Sequence, residues 1–286
     1  MWTSDFLRAA RADRYHQVPH RRVRTEDEAL SFLNQVGLCL LFSAKDVELP
    51  SLWGALCGDN RPIPKNHDDH ALGLAWHWKD TLPTAGQVLY GRFLRKRPVF
   101  ISLDLAPHFY ALSPNYENPA EDYLQDYQDG RLSIEAKQVY EVLLGQGALP
   151  TSRLRREAGL AGKDNAARFD RALTELQSDF RITKVAISDA NRWGYCYVYD
   201  LLFLHFPEIV AAARDITGRQ ARETILVRYL GTVVAATPQQ VCGLFGWMPG
   251  DVDRMVAHLE AEGRIRSKVQ IEGLAGEYLT TTMVPS

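Results

Sequence analysis

The C-terminal half of the sequence contains one pattern of elements twice, and this repetition constrains the fold more than any other feature. In the first copy, SIEAKQVYEVLLGQG has Ser133 as its N-cap residue and places Val139, Tyr140, Leu143 and Leu144 on one apolar face. LPTSRLRREAGL and KDNAARFDRALTELQSDF predict a second and a third helix. RITKVAISDANRWGYCYVYDLL predicts a β-hairpin, because β-branched and aromatic residues flank a polar turn.

The second copy has the same order of elements. GRQARETILVRYLGTVVAA, TPQQVCGLFGW and MPGDVDRMVAHLEAEG predict three helices, and RIRSKVQIEGLAGEYLTTT predicts two strands. Three helices followed by a hairpin is the order of a winged helix-turn-helix. We therefore predict an α+β fold that is mainly helical, with tandem winged-helix modules at residues 133–217 and 218–286 and small β-hairpin wings.

The N-terminal part predicts a third, decorated module of the same kind at residues 1–116. TEDEALSFLNQVG is a helix start in which Thr25 and Glu28 form a capping box, and PVFISLDLAPHFYAL indicates a strand followed by an irregular piece. Residues 117–129 contain acidic side chains without any Lys or Arg. We predict that residues 117–132 are an acidic, solvated linker.

Composition is that of an ordinary globular protein, with 46% hydrophobic and 24% charged residues among 286. The sequence has no apolar run long enough for a membrane span, and its start does not resemble a secretory signal. The four cysteines form no C-x-x-C pair, which argues against a disulfide framework or a zinc site. We expect a cytoplasmic monomer that uses no cofactor, metal or membrane.

The stretch HDDH at residues 67–70 invites a metal interpretation, because two histidines flank two aspartates. Its spacing fits no standard zinc signature and its surroundings read as a loop, so a polar turn is favoured.

The net charge is only −2, but basic residues are concentrated in a few segments, which is compatible with a nucleic-acid surface. The third helix of a winged helix commonly enters the major groove, and its wing approaches the backbone. The residues predicted to contact double-stranded DNA are Arg95, Lys96, Arg97, Arg153, Arg155, Arg156, Asn165, Arg168, Arg171, Arg192 and Trp193. The alternative is that these arginines form the solvated faces of helices or contact other proteins.

A capped helix leading to NQVGLCLLF, a Trp-rich segment LAWHWKDTLP and two tandem winged helices together resemble the AlkZ/YcaQ family of DNA glycosylases, in particular a shorter AlkZ-related branch. The resemblance implies three winged helices that clasp duplex DNA and excision of an alkylated or crosslinked base. It also implies a Gln-x-Gln or Gln-x-Asp pair that positions the hydrolytic water. GLCLLF places Leu40 and Phe42 at those two positions, and neither side chain can orient a water.

Excision without that pair needs another group to hold the water and an aromatic pocket for the extruded base. Two segments combine carboxylates with aromatic rings, one around residues 46–53 and the other WHWKD at residues 76–80. We predict Asp46, Glu48 and Asp80 as catalytic residues. The predicted base pocket consists of Trp53, Trp76, His77 and Trp78, and Lys79 is expected to meet a phosphate. The alternatives are solvated carboxylates and tryptophans that pack in the core.

Two classes of function remain open at this point. The first is a DNA glycosylase that hydrolyses the N-glycosidic bond of a damaged or modified base. The second is a non-catalytic tandem winged-helix protein, either a regulator or a repair accessory factor. A protein-interaction module is a third possibility.

Overall fold

One order of elements occurs three times along the chain: helix, short strand, helix, helix, strand, strand. The computed structural model describes residues 2–58, 61–65, 68–114, 118–190 and 194–282. The first repeat comprises α2 (Glu26–Val36), β1 (Leu38–Cys39), α3 (Leu52–Cys57), α4 (His70–Thr84), β2 (Val88–Leu94) and β3 (Arg97–Ser102). It is preceded by α1 (Ser4–Arg14) and a 3₁₀ turn (Pro19–Arg21), and followed by α5 (Ala106–Tyr110) and α6 (Pro119–Gln128).

The second and third repeats follow the same order. The second comprises α7 (Ile134–Gln146), β4 (Leu149–Pro150), α8 (Thr151–Glu157), a 3₁₀ turn (Lys163–Asn165), α9 (Ala166–Ser178), β5 (Ile182–Ser188) and β6 (Cys196–Leu201). Two short helices, α10 (Leu202–His205) and α11 (Pro207–Ala213), connect it to the third. The third comprises α12 (Gly218–Val233), β7 (Ala235–Ala236), α13 (Pro238–Phe245), α14 (Pro249–Ala261), β8 (Ile265–Val269) and β9 (Tyr278–Thr281).

The three small sheets also share one strand order. In each repeat the third strand lies between the first and the second, giving the orders β1-β3-β2, β4-β6-β5 and β7-β9-β8. The short first strand pairs antiparallel with the third in all three, as in Leu38 opposite Ile101, Leu149 opposite Tyr199 and Ala235 opposite Thr280. The predicted mixture of helices and small β-sheets is confirmed.

Local signals read from the sequence explain where several helices begin. Thr25 and Glu28 form a reciprocal capping box at the start of α2, and the Ser133 hydroxyl accepts a hydrogen bond from the Ala136 amide at the start of α7. Gly37 ends α2 with a φ of 75°, a backbone conformation that glycine adopts without strain. This turn leads directly into β1 and so fixes the position of the residues that follow it.

The chain folds into two compact units. Unit 1 contains Met1–Lys79, Phe100–Leu105 and Arg219–Ser286, and unit 2 contains Asp80–Val99 and Ala106–Gly218. The boundaries differ from the modules predicted at residues 1–116 and 218–286, because segments from both ends of the chain share unit 1. Within it, Trp2 and Leu7 pack against Val234, Ile271 and Tyr278.

The segment predicted as a solvated acidic linker contains a helix of unit 2 that buries one face and exposes the other. Residues 119–128 form α6, in which Tyr123 and Asp126 are buried. Tyr123 joins the apolar cluster built mainly from α7 and α9, with Tyr140 its ring neighbour at 4.8 Å. Residues 119–128 therefore form a helix with one packed face, in which the buried Asp126 pairs with the buried Arg181.

Among the helices of the described residues, none is long and apolar enough to cross a membrane. All four cysteines are free thiols; Cys39 and Cys196 are buried, and Cys57 and Cys242 are half-buried.

Candidate functional site

Three aromatic rings form a row in unit 1. Phe42 follows β1 and lies between Trp53 of α3 and Trp76 of α4, with ring centroids 6.0 Å and 5.9 Å apart, respectively. Trp53 is only 3% exposed, whereas Trp76 is 44% exposed. The structure thus brings together two of the predicted pocket residues. Phe42, which the sequence placed at a position where a polar side chain was expected, is the ring that contacts both tryptophans.

A cation lies against each end of this row. The Lys79 Nζ is 4.9 Å from the centroid of the Trp76 ring, and the Arg61 Cζ is 5.2 Å from that of Trp53. The Trp53 Nε1 also donates a hydrogen bond to the carbonyl oxygen of Arg61 at 2.8 Å. Lys79 is only 2% exposed, so its ammonium is buried beside the Trp76 ring and is not exposed for the predicted phosphate contact.

Backbone hydrogen bonds fix the segment that contains Leu40. The Leu40 amide donates to Pro50 O at 2.9 Å, and the Leu52 amide donates to Leu40 O at 2.8 Å. The Leu40 side chain is 4% exposed. At this position the chain supplies a buried apolar side chain, which contributes to packing.

Both carboxylate oxygens of Glu48 accept hydrogen bonds from side chains at the N-terminus of unit 1. Its Oε2 accepts a hydrogen bond from Arg11 Nη1 at 2.7 Å, and its Oε1 accepts one from the Tyr15 hydroxyl at 2.7 Å. Arg11 also donates to the carbonyl oxygens of Val233 and Ala235 at 2.9 and 2.8 Å. Burial, followed by the negative charge of Glu48, raises the pKa of Tyr15, so the phenol stays protonated and keeps donating. Both Glu48 oxygens are engaged by Arg11 and Tyr15, which ties α1 to the rest of unit 1 and favours a structural role for this residue.

The other two predicted carboxylates differ from Glu48 and from each other. Asp46 is exposed in the segment between β1 and α3 of unit 1. Asp80 belongs to unit 2 and is half-buried. The Tyr195 hydroxyl lies 3.0 Å from each of its carboxylate oxygens, and the Tyr197 hydroxyl donates to Oδ1 at 3.3 Å. Asp80 is therefore engaged by two tyrosines of its own unit, whereas Asp46 is an exposed side chain of unit 1.

The two other residues predicted for the base pocket, Trp78 and His77, differ in their exposure. Trp78 is 2% exposed and packs in the interior, so its prediction as a base-stacking residue was wrong. His77 is exposed, with its Nε2 3.9 Å from Glu26 Oε2. Among the three predicted tryptophans, Trp76 alone presents a large exposed ring.

The three consecutive basic residues 95–97 lie at and next to a hairpin turn of unit 2. Arg95 and Lys96 connect β2 to β3 and are exposed, with φ angles of 49° and 64°. Two-residue hairpin turns with positive φ usually contain Asn or Gly, so this turn holds two basic side chains at some conformational cost. Arg97 begins β3 and is half-buried. The turn between β2 and β3 thus presents two exposed basic side chains.

The predicted DNA contacts of α8 and α9 fall into two groups. Arg155 donates to the carbonyl oxygens of Leu160 and Gly162, and Arg168 forms an ion pair with Glu135, so both side chains hold neighbouring segments of unit 2. Arg153, Arg156 and Arg171 are exposed, as is Arg168 despite its ion pair, and Asn165 is half-buried at the start of α9. Arg156 also pairs with Glu157 at 3.2 Å.

Arg192 and Trp193, predicted at the tip of the second wing, lie outside the described residues, as does His67 of the HDDH stretch. Asp69 of that stretch accepts a hydrogen bond from the Leu72 amide at 2.9 Å at the start of α4 and pairs with Arg61. In the part of the chain that the structure describes, no group of three or more potential ligands could hold a metal ion.

Unit 2 contains an aromatic cluster that was not predicted from the sequence. Tyr195, Tyr197 and Tyr199 alternate along β6 and the residue before it, with centroid distances of 5.6 Å and 6.4 Å between successive rings. Alternate residues of a strand lie on one face, so the letters YCYVY contain the signal for this row.

Comparison with known proteins places this geometry in a family. A search of curated proteins finds no match. A solved structure of Streptomyces sahachiroi DNA glycosylase AlkZ is similar in fold, with a TM-score of 0.56 and 13% sequence identity over 96% of this chain and 69% of that chain. The family model described as AlkZ related matches residues 23–246. This match covers most of the chain and bears out the resemblance read from the sequence, so the protein belongs to the AlkZ-related family.

Proposed function

We propose that this protein binds double-stranded DNA and engages a damaged or modified base that has left the helical stack. The observation that carries the proposal is the half-exposed ring of Trp76, which contacts Phe42 edge-on and has the Lys79 ammonium 4.9 Å from its centroid. Family membership and the fold similarity to a DNA glycosylase support it.

The three repeats correspond to winged helices in this proposal. Their helix-strand-helix-helix-strand-strand order and their shared strand order support that assignment. Arg95 and Lys96 form the tip of the first wing and contact backbone phosphates, with Arg97 beside them. The exposed Arg153, Arg156 and Arg171 supply further phosphate contacts, and Asn165 lies at the entry of α9 toward a groove.

Trp76 is the base-contacting residue of the proposal. Enzymes that act on a base must first extrude it, and aromatic side chains then hold it by stacking. A ring with 44% of its surface exposed can accept a stacked base, whereas the buried Trp53 and Trp78 cannot. The contacts of Trp76 with Phe42 and Lys79 restrict its motion, which lowers the entropy lost on binding.

Excision is the activity that family membership favours, with Asp46 as the group that holds the water. In that reaction the water oxygen bonds to C1′ of the sugar as the bond between C1′ and the base nitrogen breaks. The base leaves with the bonding electrons, and Asp46 accepts the proton from water. Asp46 is chosen over Glu48 because both oxygens of Glu48 are engaged by Arg11 and Tyr15. This reaction needs no cofactor, and a cytoplasmic monomer remains part of the proposal.

A second candidate is DNA binding without excision, and one observation favours it specifically. The resemblance read from the sequence aligns Leu40 and Phe42 with the polar pair of the glycosylases, and Leu40 is buried. Such a protein recognises a distorted or modified duplex and leaves the glycosidic bond intact.

The experiment that separates the two candidates is a screen of duplexes that carry alkylated, crosslinked and otherwise modified bases. Alkali cleaves DNA at abasic sites, so strand breakage after alkali reports excision. The glycosylase proposal expects breakage with the wild-type protein and its loss in Asp46→Asn, with duplex binding unchanged. Binding without breakage on every duplex leaves the non-catalytic candidate.

DNA binding itself is tested with the basic turn. We expect the double variant Arg95→Ala, Lys96→Ala to weaken binding to all duplexes and to reduce the slope of log affinity against log salt by roughly two, because about 0.9 counterions are released per phosphate contact. Arg254→Ala is the control, since Arg254 is an exposed arginine of α14 that the proposal does not use. An equal effect of both changes would contradict the assignment of the turn.

A further inference from the structure

A second group of aromatic and charged side chains lies in unit 2. Tyr195 immediately precedes β6, Tyr197 lies in β6, Tyr90 in β2, Lys184 in β5 and Asp80 in α4. Tyr90 is buried, Lys184 and Tyr197 are half-buried, and Tyr195 is 40% exposed. The group therefore extends from the interior of unit 2 to the exposed ring of Tyr195.

Asp80 fixes the exposed ring. The Tyr195 hydroxyl lies 3.0 Å from both carboxylate oxygens of Asp80, and the ring of Tyr197 contacts Tyr195 edge-on at a centroid distance of 5.6 Å. Tyr197 also donates to Asp80 at 3.3 Å. Burial raises the pKa of Tyr197, so its phenol remains a donor throughout the physiological range. Tyr195 thus presents a flat apolar face in a fixed orientation.

A positive charge is held beside this face. The Lys184 Nζ lies 3.8 Å from the centroid of Tyr197 and 4.6 Å from that of Tyr90. Cation–π contacts with two rings restrain the ammonium of this half-buried side chain. The cluster combines an exposed ring with a positioned cation, as do proteins that bind single-stranded nucleic acid.

We propose that Tyr195 and Lys184 bind an unpaired nucleotide of DNA, with the base stacked on the Tyr195 ring and the phosphate attracted by Lys184. This inference rests on the proposed function in so far as it takes DNA as the ligand, but it adds a site that the Trp76 row does not include. A base within an intact duplex has both faces covered by its neighbours, so the ligand is a nucleotide in a gap, a single strand or a distorted site. Asp80 is a positioning residue that acts through the Tyr195 hydroxyl.

The test compares two labelled DNAs by fluorescence anisotropy, a single-stranded oligonucleotide and the same sequence as a perfect duplex. Base-aromatic stacking contributes about 1–3 kcal/mol, so we expect Tyr195→Ala to weaken single-strand binding by about 5- to 150-fold. Duplex binding should stay within about twofold, because no base of a perfect duplex reaches the ring. Tyr195→Phe keeps the ring and is expected to retain most of the affinity. Lys184→Ala should lower the single-strand salt slope by about 0.7.

Tyr127→Ala is the matched control. Tyr127 is another tyrosine of unit 2, 37% exposed, with the Lys137 ammonium 5.4 Å from its ring centroid. We expect this change to leave single-strand binding unaffected. Thermal unfolding of each variant confirms that the fold is retained.

The outcomes separate this inference from the proposed function. If the wild-type protein binds neither DNA, the proposed function fails and this inference fails with it. If the wild-type protein binds both DNAs and Tyr195→Ala binds the single strand as tightly as wild type, the nucleotide site is overturned while DNA binding stands. An equal loss in Tyr195→Ala and Tyr127→Ala also overturns it, because that loss is not specific to this cluster.

Discussion

Arg181 and Asp126 form an ion pair in the interior of unit 2, with side-chain exposures of 0% and 6%. Asp126 lies in α6 and also pairs with Arg131 at 2.7 Å. The Nε and Nη1 atoms of Arg181 have no hydrogen-bond partner among the described residues. The negative charge of Asp126 therefore offsets much of the free-energy cost of burying the Arg181 guanidinium.

Removal of that carboxylate should destabilise the protein strongly. Asp126→Ala leaves the Arg181 guanidinium buried without its ion-pair partner, and we expect the free energy of unfolding to fall by about 3–5 kcal/mol. Urea denaturation followed by circular dichroism measures the change. The control is Asp129→Ala, which removes the more exposed partner of Arg131 at 2.8 Å and should have little effect. Similar stabilities for the two variants would show that Arg181 does not depend on Asp126.

The sequence predicted the repeated helices and hairpins because their signals are local. Caps such as Thr25 and Ser133 and the apolar faces of the helices depend on residues a few positions apart. The role of α6 could not be predicted in this way, because it depends on the contact between Asp126 and Arg181 far along the chain. An acidic stretch without basic residues reads as solvated until the buried cation that it meets is known.

The aromatic residues of the candidate site show what local patterns can and cannot predict. Trp76 and Trp78 are two positions apart on α4, and successive helix residues are rotated by about 100°, so the two rings point to opposite sides. Helix geometry therefore predicts that only one of them faces a pocket, but not which one. The alternation of Tyr195 and Tyr197 was equally readable, whereas their contact with Asp80 requires the tertiary fold.

Glu48 and Asp46 provide a contrast between a structural and an exposed carboxylate. Glu48→Gln replaces the charged acceptor of the Arg11 and Tyr15 hydrogen bonds, and we expect a loss of about 1–3 kcal/mol in the free energy of unfolding. Asp46→Asn should leave stability nearly unchanged, because Asp46 is exposed. Urea denaturation of both variants checks this expectation. Full stability of Glu48→Gln combined with lost base excision would instead make Glu48 the residue that holds the water.

Asp179 makes stability depend on pH. Burial raises its pKa to about 6, although the nearby Arg181 charge opposes the shift. Because the folded protein binds this proton more tightly than the unfolded chain, with a reference pKa of about 3.9, ionisation destabilises the fold. The penalty begins above about pH 4 and reaches its full size above about pH 6.

We expect Asp179→Asn to raise the free energy of unfolding by about 1–3 kcal/mol near pH 7.5, since the amide cannot ionise. The difference from wild type should shrink steadily toward zero as the pH falls to about 4. Urea denaturation of both proteins across this pH range tests the expectation. A difference that stays constant with pH would mean that the pKa of Asp179 is not raised by folding.

Trp76 and Trp53 lie at opposite ends of one aromatic row, and their substitution should separate binding from stability. Trp53→Ala removes a ring that is 3% exposed and should lower the free energy of unfolding by about 3–5 kcal/mol. Trp76→Ala removes a half-exposed ring, so we expect a smaller loss of stability but a 5- to 150-fold weaker preference for a modified over an unmodified duplex, from about 1–3 kcal/mol of stacking. Trp76→Phe retains a stacking surface and should restore part of the preference. Anisotropy titrations with the two duplexes measure it, and an unchanged preference in Trp76→Ala would remove this residue from the proposed base contact.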